Sequence, residues 1–295
     1  QLKIFPEKKL LNSGKITFAF QKLEESRNNR FFNSLTRSFQ RENVNALSLN
    51  GDFEFQIKED HSFSYGFEGV FNDVSSYAHK YDLILQQNEI VGSSPNLPIP
   101  TRYPSRGSSY GSYAVYLNWI WDLNSQLTLN AGLRLTSTHL RGKWGESYNV
   151  NALLSSVRLD AEALTETLAL TYRPNKKTQW NAILSNGFRN PNIDDVGKIR
   201  ESRGTLIVPN PMLFPEYAYN FEVGLTKYLN QPKNYFSLRG FTTLLSRHIG
   251  RDAFTIFADQ STPSMNTILY NGEELSTFAN NNLGNRYILG GSIDG

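Results

Sequence analysis

The residues able to do bond chemistry are few and poorly placed for it. The chain has four histidines, His61, His79, His139 and His248, and no cysteine. No two histidines have the close spacing of a zinc site. Thiolate ligands, disulfides and cysteine nucleophiles are excluded outright. The carboxylate pairs Asp194-Asp195 and Glu273-Glu274 are adjacent. On a strand such neighbours point to opposite faces, so they make poor acid/base dyads. No nucleophile elbow, phosphate loop or dinucleotide fingerprint joins a strand to a helix. An enzyme is therefore not expected, nor any cofactor or metal site.

Recognition is the chemistry that remains. Arg27, Arg30, Arg37 and Arg41 cluster in a stretch that reads as the first long loop, 26–42. They are candidate contacts for an anionic ligand or a lipopolysaccharide phosphate, or the cations of a solvated loop. His79 and His139 stand in or beside long loops and are candidate ligand contacts too. His61 falls in a short turn and reads as solvent-exposed. A further segment runs Ser185-Asn186-Gly187-Phe188-Arg189-Asn190-Pro191-Asn192-Ile193-Asp194-Asp195. A second runs from Pro209-Asn210-Pro211-Met212-Leu213-Phe214-Pro215-Glu216 into Tyr217-Ala218-Tyr219-Asn220-Phe221-Glu222-Val223-Gly224. Asn210-Pro211 and Phe214-Pro215-Glu216 fix φ at two prolines just before a strand, which can set the angle of a returning loop. Arg189 and Glu216 stand at the two ends of that loop, where they could pair or meet a ligand.

The elements that must position these residues are strands. Leu47, Leu49, Gly51, Phe53, Phe55 and Ile57 alternate with Ser48, Asn50, Asp52, Glu54 and Gln56. The same period of two recurs in Phe63–Phe71, Tyr113–Leu123, Leu127–Leu135, Leu168–Tyr172, Trp180–Leu184, Tyr217–Leu225 and Phe236–Leu244. Single strands near Ile16–Phe20 and Tyr287–Ile293 complete about ten, several with the ~9–11 residues that cross a bilayer. The connections alternate between short (58–61, 124–126, 173–178, 229–234) and long (26–42, 72–110, 138–158, 186–216, 246–284). Short turns at one end and long loops at the other are the habit of outer-membrane barrels. Trp119, Trp121, Tyr172, Trp180, Tyr228 and Tyr235 sit beside the short turns, as an aromatic girdle would. Mean hydropathy is −0.44, which a barrel tolerates because only every second residue is apolar. A net charge of +3, from 30 basic and 27 acidic residues, is too balanced to argue for nucleic acid.

The two segments around Phe188–Pro191 and Asn210–Glu216 resemble the paired signatures of TonB-dependent outer-membrane receptors. The resemblance is sharpest over 178–295, with Asn190 where the family usually has alanine. It implies an all-β fold, an antiparallel transmembrane barrel of which about ten strands lie here, out of roughly 22. It further implies a bacterial outer-membrane receptor for active uptake, most simply of a ferric siderophore or related iron complex. Its partners would be TonB, acting through a plug domain with no recognisable counterpart in residues 1–295, outer-membrane lipid and lipopolysaccharide, and a small-molecule or metal-chelate ligand. Residues 1–295 would then form one partial barrel domain, a slice of a longer chain. Phe188, Arg189, Pro191, Asn210, Pro211, Leu213, Pro215 and Glu216 carry the family motif. Their expected role is loop anchoring, close to the ligand. Haem receptors of the family usually carry a histidine between the two signatures, and 192–209 has none.

Two other readings stay open at this point: a passive outer-membrane channel, and a soluble carbohydrate-binding β-sandwich. In a barrel Leu47, Phe53, Phe55, Leu117, Trp119, Leu133, Phe221 and Val223 face lipid. Ser48, Asn50, Glu54, Asn118, Asn130, Asn220 and Glu222 then face the lumen.

Overall fold

The computed structural model describes residues 1–5, 11–145, 156–229, 234–256, 266–270 and 273–295. The turn expected at 229–234 lies mostly outside the described residues. Ten long antiparallel strands form the wall: β2 (Ser13–Asn29), β3 (Thr36–Lys58), β4 (His61–Gln86), β6 (Ser108–Asn124), β7 (Leu127–Lys143), β8 (Ser156–Asn175), β9 (Thr178–Arg189), β12 (Glu216–Tyr228), β13 (Tyr235–Ser246) and β17 (Arg286–Asp294). Each pairs with the next in that order. A short β1 (Leu2–Ile4) pairs with β2 over Gly14–Ile16 alone, and β5 (Glu89–Pro98) folds back on β4. β17 has β13 as its one neighbour among the described residues, and the length of β2 beyond Ile16 pairs with β3 alone.

Register puts the apolar alternation on one continuous face. Leu47 pairs with Phe71, Leu117 with Leu133, Leu135 with Leu164, and Phe221 with Leu184. These residues are exposed rather than packed; Leu133 is 52% and Leu184 55% accessible. No second sheet covers this face among the described residues, so a β-sandwich core is ruled out. The other face carries the polar set, joined by Arg134 to Glu68 at 2.8 Å and by Tyr116 to Asp52. Gly66 lies directly beneath the Tyr116 ring, where a Cβ would run into that ring and the Gly51 carbonyl.

Along β7 the two faces exchange character. Up to Leu135 the odd positions are apolar and the even ones, Thr128, Asn130 and Arg134, are polar. Beyond it the odd positions become Ser137, His139, Arg141 and Lys143. The even ones become Thr136, Thr138 and Leu140, all buried. Leu140 is buried against a second, smaller sheet: β10 (Arg200–Ser202), β11 (Thr205–Ile207), β14 (Ile249–Ala253), β15 (Thr267–Tyr270) and β16 (Glu273–Asn282). With helix α1 (Ile193–Val196) it encloses an apolar core that includes Leu140, Val157, Val196, Leu206, Leu213, Ile249 and Leu275. The two connections expected as polar loops at 186–216 and 246–284 thus fold together into a cap seated on the upper polar face of the wall.

Two loop expectations are corrected. Residues 26–42 are not a long loop, because β2 and β3 run on as a paired ladder and leave only 30–35 as the turn. Likewise 72–110 is mostly strand: β4 continues to Gln86 and makes a hairpin with β5. Alternation of hydropathy vanishes there because the outward positions above the apolar band turn polar, as at Asn43, Asn45 and Ser75, while buried inward positions include the polar Glu42 and Ser76 and the small Ala78, although the backbone ladder continues. His61 is corrected as well. It opens β4, stacks on Trp121 at 5.4 Å and accepts a 3.1 Å hydrogen bond from the Trp119 indole. With Phe55, Phe63, Trp119 and Trp121 it builds the aromatic girdle at the short-turn end.

Candidate functional site

The family-like segments converge where the cap meets the wall. Asn192 caps α1, its Oδ1 accepting from the amides of Asp194 and Asp195 at 2.9 and 3.1 Å, while Asp195 accepts from the Asn192 amide. Asp195 also receives Arg189 on both carboxylate oxygens, at 2.7 and 2.8 Å, and lies 10% exposed. Pro191 is fully buried, and Asn190 donates to Thr138 of the wall at 2.7 Å. Phe188 points to the apolar face beside Tyr217, 6.3 Å between ring centroids.

The second segment clasps the other half of the cap. Asn210, 4% exposed, donates to the Asn280 carbonyl at 2.8 Å and to Asn281 at 3.0 Å. Its own Oδ1 accepts from the Met212 amide. Between Pro211 and Pro215, Leu213 enters the core and the Phe214 amide donates to Asn282. Asn282 in turn donates to the carbonyls of Phe214 and Arg247. Glu216 accepts from the Ile249 amide at 2.6 Å and from His248 Nδ1 at 2.9 Å. Arg189 and Glu216 are therefore cross-strand neighbours that do not pair with each other.

A charged cluster joins the cap to the far side of the wall. Asp194 receives Lys198 at 2.8 Å, the Tyr103 hydroxyl at 3.1 Å and Arg102 at 3.4 Å. Arg102 also lies 3.9 Å from Glu25, which with the buried Glu42 flanks Arg27 at 3.2 and 2.8 Å. Burial alone would raise the Asp194 pKa, but Lys198, Tyr103 and Arg102 hold it below the usual carboxylate range. Burial and the neighbouring Asp194 push the Tyr103 hydroxyl up to about 12.

Of the arginines read as one cluster, Arg27 alone enters this network. Arg37 and Arg41 stand on the opposite, apolar-side face of β3, and Arg30 is in the turn. His79 and His139 share that opposite face, on β4 and β7. The six residues are not brought to one place. Sequence reasoning missed Arg102, Tyr103, Lys198, His248, Asn280 and Asn282. The run Asn280-Asn281-Asn282 in an apolar neighbourhood was the visible signal, since buried amides need partners. The capping-box spacing Asn192-x-x-Asp195 was another.

A family model described as "TonB dependent receptor-like, beta-barrel" matches residues 8–293. The chain belongs to that family. No curated protein sequence matches it. Among solved structures it is similar to the copper transporter OprC (11% identity, TM-score 0.66), covering 97% of this chain and 41% of that one. It is also similar to a mutant of the ferric enterobactin receptor PfeA from Pseudomonas aeruginosa (14%, 0.66, covering 97% and 39%). A third is the hemophore receptor HasR of Serratia marcescens (16%, 0.55, covering 96% and 47%). At these identities the likeness shows the fold. The chain spans less than half the length of each. In a barrel of this family the apolar face is the outer wall and the polar face is the lumen.

Proposed function

We propose that the chain is the ligand-facing part of the wall of an outer-membrane receptor that takes up a scarce nutrient, a ferric siderophore or related iron complex, by TonB-driven transport. The family match over 8–293 carries this reading. Structural neighbours named for ferric enterobactin and for a hemophore with haem support an iron complex as cargo, and one named for copper marks the competing cargo. The cap over the upper lumen supports selective capture over a passive channel, because a folded core of buried residues occupies the mouth. In this reading a plug domain occupies the polar lumen and passes on the energy from TonB, and the motif residues Phe188 to Glu216 hold the cap at its working height.

The test is uptake by the full-length receptor in cells deprived of iron. Uptake of labelled ferric siderophore should depend on the receptor and collapse when TonB is deleted. Uptake that survives loss of TonB would mean a passive channel. Copper uptake without iron uptake would replace the cargo.

A further inference from the structure

The wall loses one of its ladders above the lipid-facing band. β8 and β9 pair from Asn175 up to Thr167, which lies opposite Ser185, and no further. There the Asn186 side chain takes over from the backbone. Its Oδ1 accepts from the Glu166 amide, and its Nδ2 donates to the Leu164 carbonyl at 3.4 Å. Beyond Arg189 the chain turns inward to the cap, with Asn190 on Thr138 of β7 and Pro191 buried. The upper length of β8, 156–163, keeps β7 on one side and has no strand on the other among the described residues.

The same bonds show where its backbone groups point. Along a strand, alternate residues aim N–H and C=O to opposite sides. Leu164 and Glu166 aim theirs toward β9, whereas the Leu159 and Ala161 carbonyls accept from Arg141 and Thr138 of β7. Arg158, Asp160 and Glu162 therefore present their N–H and C=O groups to the open side, where nothing among the described residues bonds to them. In hydrocarbon such an edge would be costly. The seal made by Asn186 ends at Leu164, the last leucine of the apolar band on β8, so the open edge stands in water. There it is a template for another strand. Across the opening, a Cβ at Gly187 would meet nothing within 4 Å.

Charge sets the register of an added strand. Asp160 is already held by His139, Arg141 and Arg158, at 2.7, 2.6 and 2.9 Å. Glu162 is exposed and makes no ion pair among the described residues. Arg158 bonds through Nε alone, and its side chain is 74% exposed. Opposite charges directly across a ladder stabilise it. An antiparallel strand on this edge thus sets a cation against Glu162, an uncharged residue against Asp160 and a carboxylate against Arg158. Small apolar side chains lie between them, beside the half-buried Leu159 and Ala161.

We propose that the upper edge of β8 is a β-augmentation site for an extended segment of a separate protein, one with a cation and, four residues later, a carboxylate. The inference rests on the barrel placement and not on the cargo. Its test reads binding rather than uptake, so either reading can fail without the other.

Full-length receptor in detergent is titrated with the acetylated, amidated peptide Val-Lys-Val-Thr-Val-Glu-Val, and amide exchange over 157–163 is followed with and without it. The amides of Arg158, Asp160 and Glu162 should exchange fast in the free receptor and slowly with peptide bound. N-methylation of the peptide's Lys, Thr and Glu nitrogens, which face β8, should weaken binding about tenfold, and N-methylation of the two inner valines should be tolerated. Glu162→Lys should weaken binding about fivefold, and a peptide with glutamate in place of its lysine should restore it. Absence of binding, equal binding by both methylated peptides, or no recovery on charge exchange overturns the proposal. Protection of those three amides in the free receptor also overturns it, since the receptor's own chain would then fill the edge.

Discussion

Arg189 and Glu216 stand directly opposite each other where β9 meets β12, yet each turns away to a different partner. Arg189 grips Asp195 at the start of the cap, and Glu216 holds the His248 ring and the Ile249 amide at its return. Opposite charges at the two ends of one loop thus mark two separate clasps.

A double-mutant cycle separates these arrangements. Arg189→Ala and Glu216→Ala should be additive within about 0.3–0.5 kcal/mol, whereas Arg189→Ala and Asp195→Ala should couple by about 1 kcal/mol. Unfolding of the full receptor in lipid provides the free energies. A larger coupling for the first pair than for the second would contradict the geometry.

Asn210 is buried and bonded at both ends of its amide. Asn210→Leu leaves the Asn280 carbonyl and the Met212 amide without it, at a cost of about 1–3 kcal/mol. The loss should stay in the cap: hydrogen exchange should speed up over 205–213 and 273–282 and stay unchanged over 127–135. Uniform acceleration of the wall would mean that Asn210 supports more than the clasp.

The Asp194 cluster gives opposite signs at the two ends of the pH scale. Asp194 has a lowered folded pKa, so its contribution is present above its unfolded value of about 4 and is lost as pH falls through the folded value. Tyr103 has a raised folded pKa of about 12, so its contribution is complete below about 10 and is lost as pH rises toward about 12. Protection of the 193–199 amides should therefore fall in acid below about pH 4 and again in strong base. Tyr103→Phe should remove only the second fall. A Tyr103→Phe protein that keeps the alkaline loss would show that another group titrates there.

Glu166 is an anion on the lipid-facing side. It pairs in register with Leu133 and stands between Leu164 and Leu168 on the same face. It lies one outward position inside Leu164, the last leucine of the apolar band on β8, where a charge is mildly unfavourable. Glu166→Leu should stabilise the folded receptor by about 1 kcal/mol, read as a shift in the urea midpoint in lipid. A destabilised variant would show that Glu166 has a partner in the membrane.

The wall was legible because lipid imposes a rule on every second residue. Leu47 to Phe55 and Leu127 to Leu135 declare both their strand and their face. Arg37, Arg41, His79 and His139 lie above the lipid, where that rule lapses, and they read as loop although the ladder runs through them. The cap was hidden for a different reason. Leu206, Leu213, Ile249 and Leu275 come from segments far apart in the chain, and none has a periodic neighbourhood. Only the polar requirements of Asn192, Asn210 and the Asn280–Asn282 run left a local trace of it.

Most strand pairs among the described residues join consecutive strands and could zip locally as hairpins, but β11 and β16, far apart in the chain, pair in parallel. Asn210 finds its partner at Asn280, 70 residues later. β12 and β13 therefore lie within the stretch that closes when the mouth is sealed. Closing so long a loop is slow, and its reward arrives only when the core around Leu206 and Leu275 assembles. The cap's own contacts can open without breaking a ladder of the wall, which lets the mouth open and close on its own, separately from the wall.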